Sequence, residues 1–496
     1  MKLFLTLVLA FIITDINAQD TVLELKQHKI NTILNGFKND KSFKNASIGF
    51  VAKDIKTGAT IASLNPDLSL MPASTLKVVT TATALEILGR NYRFSTSLEY
   101  SGKIDTVKNV LNGNLYIKGG GDPTLGSMHF DKEKKYEFLN TWTNAIIKAG
   151  IDSVNGSVIA DVSRYGNEIA CPKWLWEEVG NYYGAGAIGL SAFDNLYEIH
   201  FSSPSKPDSL TKVIYTLPEI KGLEIHNEVK SSNINEDRAY VYGSPYQYLH
   251  EIRGTIPKNR NDFTIKGAMP DPPLFLANYF VEKLQIRNIK INGKATTSRL
   301  LGLVNNYKTE ERKTLFSTYS PELEEIIYQT NKKSINLFAE HLLIEIGYAV
   351  NKVGNYDSGL SAVINFWQQK GMDTDGFYIY DGSGLSRSDA VTANQMVFIL
   401  TFMKKKSRNF EAFYNSLPIA GKSGTITSIG KNTAADGNLR AKSGSIDRVR
   451  AYSGYVTTKS GRELAFSINI SNYNCSDSEC RNKLEELMVA LAEFNL

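Results

Sequence analysis

The stretch MPASTLKVVTTATAL, residues 71–85, determines how the rest of the chain is interpreted. It places Ser74 three residues before Lys77, at the start of an apolar run with helical character. Residues three apart share one face of a helix, so Lys77 can reach the hydroxyl of Ser74. The unpaired N–H groups and the positive dipole of a helix N-terminus suit a nucleophile whose attack creates an oxyanion. Ser74 and Lys77 are therefore a candidate nucleophile and base.

The same Ser-x-x-Lys spacing occurs again at Ser203–Lys206, Ser209–Lys212 and Ser428–Lys431. The alternative for Ser74 is an N-cap serine followed by a solvated lysine. The Ser74 copy differs from the others because the apolar residues after it would bury the stem of Lys77. A lysine acts as a base near pH 7 only if its pKa falls by about 3 units, which burial and a second nearby cation both favour. The hypothesis therefore predicts another lysine in the site.

Four Lys-Ser/Thr-Gly triplets are candidates for that lysine, and they begin at Lys56, Lys422, Lys442 and Lys459. The first and the last lie at hairpin turns, where glycine has a simple turn role, and the second is typical of a loop. Lys442-Ser443-Gly444-Ser445 directly precedes the terminal pair of strands, so a strand there can present its lysine, hydroxyls and N–H groups to a substrate. The Gly-x-Ser-x-Gly elbow of a Ser–His–Asp hydrolase does not occur in the sequence.

Composition narrows the class of protein. The chain has 496 residues, enough for two or three domains, with 42% hydrophobic and 22% charged residues. The net charge of +5 is spread out, without a basic run interleaved with aromatic residues, so we expect no nucleic-acid partner. The six histidines are scattered and no Cys/His cluster has ligand spacing, so we expect no metal site and no cofactor.

The N-terminus predicts export. A short n-region, the apolar run Leu3–Ile13 and a small-residue cleavage site ending at Ala18 form a secretory signal over residues 1–18. We expect a soluble, secreted periplasmic protein, because no other segment has the ~20 apolar residues of a membrane helix. An oxidising compartment permits disulfides, and a bridge between Cys475 and Cys480 would close a small loop and leave Cys171 free.

The order of predicted elements gives the domain organisation. A predicted hairpin over residues 46–64 leads into the Ser74 helix, and residues from about 96 to 305 form a mostly β insertion with a second module nested inside it. Helices return after Thr314. The chain ends with two alternating strands, Val449–Thr457 and Leu464–Asn472, and an amphipathic helix, Arg481–Phe494.

Three motifs in this order resemble those of the penicillin-recognising serine D,D-peptidases: Ser74-x-x-Lys77, Ser334-Ile335-Asn336 and Lys442-Ser443-Gly444-Ser445. Further segments resemble the penicillin-binding protein 4 family of D-alanyl-D-alanine carboxypeptidase/endopeptidases, namely Gly119–Leu125, Asp381–Ser386, Leu417–Thr425 and Leu439–Tyr455. The long interval between Lys77 and Ser334 fits the nested extra domains of that family, whereas β-lactamases have a much shorter interval.

The resemblance implies an α+β fold, an α/β sandwich in which helices cover an antiparallel sheet. It implies a catalytic D,D-peptidase domain over residues 19–95 and 306–496. A first inserted domain would cover residues 96–165 and 252–305, and a nested second one residues 166–251.

The resemblance also implies a role for each motif residue. Ser74 would attack the carbonyl of the penultimate D-alanine, and Lys77 would take its proton. Ser334, with Lys442 beside it, would relay a proton to the leaving amine, and Asn336 would bind the substrate amide. The strand Ser443-Gly444-Ser445 would bind the terminal carboxylate, and the N–H groups of Ser74 and Ser445 would form the oxyanion hole.

Two features depart from the family pattern or need a separate assignment. Ser443 replaces the usual threonine and keeps the hydroxyl, so we expect activity to survive, while the charged Asp447 and Arg448 could alter substrate preference. In this family an acidic residue of the insertion is thought to meet the free amine of the stem peptide. Glu178, in the loop Trp174–Glu178, aligns best with it; the alternative is a solvated loop carboxylate.

The sequence therefore predicts a serine-type D-Ala-D-Ala carboxypeptidase and D,D-endopeptidase that acts on peptidoglycan stem peptides and is acylated by β-lactams. The alternatives are a β-lactamase and a catalytically silent member of the fold that binds cell-wall peptides. The sequence leaves open any peripheral association with the membrane or cell wall, the oligomeric state, and the balance between the two peptidase activities.

Overall fold

The structure, a computed structural model, describes residues 29–304, 307 and 310–495. The predicted signal segment, residues 1–18, lies outside this range. The strands are β1 (Ser47–Asp54), β2 (Thr60–Leu64), β3 (Ser95–Ser101), β4 (Lys103–Asp105), β5 (Val110–Asn112), β6 (Leu115–Lys118), β7 (Ser153–Val154), β8 (Val158–Asp161), β9 (Leu196–Ser203), β10 (Lys212–Leu217), β11 (Glu224–Asn227), β12 (Lys230–Ser232), β13 (Arg238–Tyr242), β14 (Leu249–Pro257), β15 (Arg260–Ala268), β16 (Lys290–Ile291), β17 (Ala295–Thr297), β18 (Arg312–Tyr319), β19 (Arg440–Ile446), β20 (Val449–Thr457) and β21 (Glu463–Ser471).

Helical segments cover the sheets and connect them. They are α1 (29–39), α2 (Lys77–Leu88), α3 (Glu137–Lys148), α4 (Trp176–Val179), α5 (Pro272–Ile286), α6 (Ser298–Leu303), α7 (Leu323–Lys333), α8 (Asn336–Asn351), α9 (Tyr356–Gln369), α10 (Ala393–Lys406), α11 (Phe410–Ser416) and α12 (Asp477–Glu493). None of the helices within the described ranges is long and apolar enough to span a bilayer.

The central sheet is antiparallel and has the strand order β19-β20-β21-β1-β2. Side chains alternate across a strand, so its two faces bury different sets of residues. Val51 and Tyr455 pack into the core formed with α2 and α7–α11. Phe50 and Tyr452 pack into the opposite core, which α1 and α12 help to close. The predicted helix-covered antiparallel sheet is confirmed.

The segment between α2 and α7 forms four further sheets. Two have the orders β17-β8-β6-β3-β18 and β16-β7-β5-β4, and they share a core with α3 and α5. The other two are β10-β9-β15 and a sheet in which β14 is flanked by β11, β12 and β13.

The predicted domain boundaries stay a prediction. Strand pairing favours a wider insertion, because β18 pairs with β3 from Arg312↔Ser101 to Tyr319↔Ser95. It also favours a nested module that extends to Ala268, because β15 pairs with β9.

The bridge between Cys475 and Cys480, which the sequence left open, is not formed in this structure: both thiols and that of Cys171 are free. Cys480 is completely buried on α12 among apolar side chains, where it packs as a small hydrophobic residue. Cys475 lies before the N-cap residue Ser476, outside the helix. Burial raises the pKa of the Cys480 thiol to about 12, so its reactive thiolate is disfavoured.

A tight turn fixes the start of the Ser74 segment. Gly384 adopts a φ of 77°, in the left-handed region, and a Cβ there would lie 1.9 Å from the carbonyl oxygen of Ala73. The turn after Asp381 therefore packs directly against the residue before Ser74.

We predict that Gly384→Ala lowers the free energy of unfolding far more than Gly371→Ala. Gly371 has a similar φ of 88° but nothing within 4 Å of an added Cβ, so alanine there costs only backbone strain, about 1 kcal/mol. At Gly384 the clash adds to the strain, for a total of about 3 kcal/mol or more. Urea unfolding of both variants checks this, and equal losses would contradict the close packing.

Candidate active site

Ser74 lies in a 3-10 turn, Ala73–Leu76, and α2 begins at Lys77. The Nζ atom of Lys77 is 2.9 Å from Ser74 Oγ, 2.7 Å from Asn336 Oδ1 and 2.7 Å from the carbonyl oxygen of Ser383. Asn336 Nδ2 donates to the carbonyl oxygen of Tyr183 at 2.8 Å, which directs Oδ1 towards Lys77. Two of the three Lys77 neighbours can only accept, so the lone pair of a neutral Lys77 points at the hydroxyl of Ser74.

The second motif lies where two helices meet. α7 ends at Lys333, and Ser334 adopts φ 59° and ψ 42°, in the left-handed region, before α8 begins at Asn336. A non-glycine residue in this region is uncommon and can mark a functional position. The break places Ser334 and Asn336 on the same side of the site, towards Lys442 and Lys77 respectively.

Lys442 lies on β19, at the edge of the central sheet. Its Nζ donates to Ser334 Oγ at 2.9 Å and to the carbonyl oxygen of Ser443 at 2.7 Å. A Cβ at Gly444 would lie 2.6 Å from the carbonyl oxygen of Pro72, so this strand runs directly against the turn that carries Ser74. The structure therefore brings Ser74, Lys77, Ser334, Asn336 and Lys442 together.

The two lysines are completely buried, and this changes their pKa values. Burial lowers the pKa of Lys77 to about 8, although the carboxyls of Asp381, Glu340 and Asp389 oppose the change. Burial, and then the charge of Lys77, lower the pKa of Lys442 well below its usual range. A neutral amine beside a serine hydroxyl is the arrangement expected of a general base and its nucleophile.

A buried group of carboxyls lies on the other side of Lys77. Asp381 accepts hydrogen bonds from four successive backbone N–H groups, residues 383–386, and from Trp174 Nε1 at 2.7 Å. Glu340 accepts from the N–H of Gly382 at 2.9 Å, and burial raises its pKa to about 8. Sequence reasoning noted Asp381–Ser386 as one of the segments that carry the family resemblance but gave Asp381 no role, and it missed Glu340, which gives no local signal inside an apolar helix.

These residues open onto a cleft of about 700 Å³ between the central domain and the insertion. Its walls include Ser74, Ser334, Asn336, Ser445, Glu177, Glu178, Tyr182, Tyr183, Tyr240, Tyr242, Arg387 and Asp447. Ser443 is not part of this lining; its Oγ is 2.6 Å from Thr425 Oγ1 at the neighbouring surface. In the described part of the chain, no group of three or more His, Cys, Asp or Glu side chains is arranged to hold a metal ion.

Glu178 lies in the cleft wall but is only 4% exposed. Its carboxylate accepts from the N–H of Leu175 and lies 3.8 Å from Arg387 Nε, and burial raises its pKa. The neighbouring Glu177 also lines the cleft, is more exposed, and lies 3.7 Å from Arg387. The assignment of Glu178 to a substrate amine stays a prediction, with Glu177 as a second candidate.

Comparison with known proteins gives consistent similarities. The model of the D-Ala-D-Ala carboxypeptidase 3 (S13) family matches residues 30–494. The chain is 25% identical to the D-alanyl-D-alanine carboxypeptidase DacB of Haemophilus influenzae over 89% of either chain. It is 29% identical to a D-alanyl-D-alanine carboxypeptidase of Actinomadura, over 86% of this chain and 78% of the relative. The crystal structure of penicillin-binding protein 4 from Haemophilus influenzae superposes with a TM-score of 0.78 at 23% identity, covering 93% of this chain and 99% of the other.

We predict that Glu340→Gln moves the acid limb of the pH profile of acylation to lower pH. The substitution removes a carboxyl that can carry negative charge near Lys77, so the Lys77 cation loses stabilisation, its pKa falls, and the neutral base is populated at lower pH. Because the Glu340 carboxyl has a pKa of about 8 and is only partly ionised on this limb, a change of at most about 0.5 pH unit is expected. The measurement is the rate of adduct formation with a fluorescent penicillin from pH 5 to 9.

Glu345→Gln is the matched control. Glu345 lies on the same helix and is equally buried, but it pairs with Arg164 and with Tyr92 and Tyr165 instead of Lys77. We expect this variant to keep the wild-type pH profile even if its stability falls. An acid limb that stays in place in Glu340→Gln, or moves to higher pH, would contradict the proposed charge effect.

Proposed function

Because the chain belongs to the D-Ala-D-Ala carboxypeptidase 3 (S13) family, we propose that it hydrolyses the terminal D-Ala-D-Ala bond of peptidoglycan stem peptides through an acyl-enzyme on Ser74. The observation that carries the assignment is the 2.9 Å contact between Ser74 Oγ and the completely buried Nζ of Lys77. The partners are then stem peptides and β-lactams, and the site of action is the periplasm.

Acylation follows from the hydrogen bonds of the site. Neutral Lys77 takes the proton of Ser74 Oγ as the oxygen attacks the carbonyl carbon of the penultimate D-alanine. The carbonyl oxygen becomes an oxyanion next to the N–H groups of Ser74 and Ser445. When the C–N bond breaks, the proton that Lys77 took passes through Ser334 Oγ to the leaving amine, so Lys77 is neutral again; Lys442 Nζ, 2.9 Å from that oxygen, holds Ser334 in place for the relay.

Deacylation uses the same groups in the second half of the reaction. The neutral Lys77 takes a proton from a water molecule as it attacks the ester carbon, and returns this proton to Ser74 Oγ when the ester C–O bond breaks. A β-lactam enters by the same first step, because its strained amide carbonyl occupies the position of the peptide carbonyl. Its ring amine stays attached after ring opening and hinders the water, so the adduct persists.

The recognition of the stem peptide is assigned to the insertion side of the cleft. Glu178 and Glu177 place two carboxyls on this wall beside Arg387, and we assign to them the ammonium group on the side chain of the stem. In a cross-linked peptide the bond to be cut also joins a D-alanine to a residue with a D-centre, and that residue of the acceptor stem carries a free carboxylate. The cleft can therefore support endopeptidase cleavage with the same catalytic groups.

We predict that Glu178→Gln lowers kcat/KM about tenfold for a stem peptide with a free side-chain amine, because a charge-assisted hydrogen bond is lost. The N-acetylated form of the same peptide should be cleaved at an unchanged rate. Glu177→Gln is measured in parallel as the neighbouring control. A loss confined to Glu177→Gln would move the assignment to that residue.

We predict that Ser74→Ala forms no adduct with penicillin while retaining its unfolding midpoint, and that Lys77→Ala slows acylation about 10²–10⁴-fold. Ser428→Ala is the control, because Ser428–Lys431 has the same spacing on an exposed surface. Intact-mass spectrometry of the protein, with mapping of the modified peptide, measures both. An adduct on Ser74→Ala, or one that disappears within seconds in the wild type, would overturn the assignment.

A further inference from the structure

A side pocket of about 140 Å³ opens from the active-site cleft into the insertion. Three residues line both the cleft and the side pocket: His129, Asp194 and Leu196. Glu177 and Glu178, which are assigned to the substrate amine, line the cleft but not the side pocket. A molecule bound in the cleft can therefore extend into the side pocket at a place separate from the wall that carries these two carboxyls.

Aromatic rings form much of the wall of the side pocket, and they belong to Tyr136, Phe193, Phe275 and Tyr279. The ring centroid of Phe193 lies 5.6 Å from that of Tyr136 and 6.0 Å from that of Tyr279, and Phe275 stacks on Tyr279 at 5.5 Å. Tyr136 is 40% exposed, so its ring remains accessible to a ligand. Partly exposed rings in a concave site offer a ligand apolar contact area of defined orientation.

The polar lining of the side pocket is balanced in charge. Lys266 Nζ lies 3.6 Å from Glu198 Oε1, and Lys135 Nζ lies 4.8 Å from the centroid of the neighbouring tyrosine ring. Asp194 is the second carboxyl of the described lining, and burial lowers the pKa of His129, so this imidazole is neutral at pH 7. Two lysines and two carboxyls therefore offset each other. Such a lining favours a neutral ligand with hydrogen-bonding groups over an ion.

The segment between the cleft and the side pocket has a strained backbone. Phe193, Asp194 and Asn195 adopt φ values of 55°, 58° and 53°, so three successive residues other than glycine lie in the left-handed region. The carboxylate of Asp194 fixes this segment, because it accepts hydrogen bonds from Ser127 Oγ and from the N–H of Met128. Strain of this kind persists only where the surroundings enforce it, and it is concentrated at ligand sites.

We propose that the side pocket binds one N-acetylated sugar unit of the peptidoglycan glycan, with the apolar C–H face of the sugar on the rings of Tyr136 and Phe193. The hydroxyl and acetamido groups at the edge of the sugar hydrogen-bond to Glu198 and Lys266. A sugar unit combines an apolar face with a rim of neutral polar groups, which matches an aromatic wall with a charge-balanced lining. The inference rests on the proposed function and deepens it, because the stem peptide in the cleft is attached to such a glycan.

The test measures binding of chitotriose, three N-acetylglucosamine units without any peptide, to the purified full-length protein by isothermal titration calorimetry. We expect Tyr136→Ala to weaken binding about tenfold, because the ring contact is lost. Tyr136→Phe keeps the ring and should bind within about threefold of the wild type. Tyr378→Ala is the matched control, because Tyr378 is 58% exposed and lies outside the side pocket.

Acylation of Ser74 by a fluorescent penicillin is measured on the same samples. All these variants should form the adduct at the wild-type rate, because none of them changes a catalytic group. A wild type that is acylated but does not bind chitotriose would overturn this proposal alone. The same holds if Tyr136→Ala binds like the wild type, or if Tyr378→Ala loses as much affinity as Tyr136→Ala. A wild type that forms no adduct would overturn the proposed function, whereas the sugar titrations would still decide what the side pocket binds.

Discussion

Two lysine ammonium groups that are both buried and close together lose solvation and repel each other, and the site depends on this constraint. Lys77 and Lys442 are both completely buried, and each is held by its own neutral partners: serine hydroxyls, an amide oxygen and carbonyl oxygens. Burial removes the solvation that would keep them protonated. The buried carboxyls near Lys77 moderate the effect, so its pKa stays near 8 and the base remains usable close to neutrality.

Burying both lysines requires several elements of the chain to meet at the site. A 3-10 turn that leads into α2, a helix break and a sheet edge contribute polar groups from different parts of the chain, and small residues allow these elements to approach one another. Gly384 lets one turn contact Ala73, and Gly444 lets β19 contact Pro72. A Cβ at either glycine would push the two packed segments apart, and the hydrogen bonds between the groups they carry would become too long.

The sequence predicted the parts that local pattern controls. The hairpin at residues 46–64, the two terminal strands and the C-terminal helix follow from the periodicity of apolar residues. The i, i+3 spacing predicted the contact between Lys77 and Ser74. Ser334 and Asn336 came from the resemblance, because a left-handed serine between two helices has no local signature. The role of Glu340 and the hydrogen bond from Trp174 to Asp381 were missed because each meets partners that are distant in the sequence. The sequence left the Cys475–Cys480 bridge open because proximity along the chain does not determine which side chain enters the core.

The insertion contributes hydrogen bonds to the groups that hold Lys77 and Asn336. Trp174 donates to Asp381, whose turn supplies the carbonyl that holds Lys77, and the carbonyl of Tyr183 orients Asn336. A shortened enzyme made by excising the insertion would therefore lose the orientation of its base as well as a wall of its cleft. The two segments that flank the insertion therefore do not form a module that works without it. Proteolytic cleavage near Trp174 would lower the turnover rate as well as change the cleft.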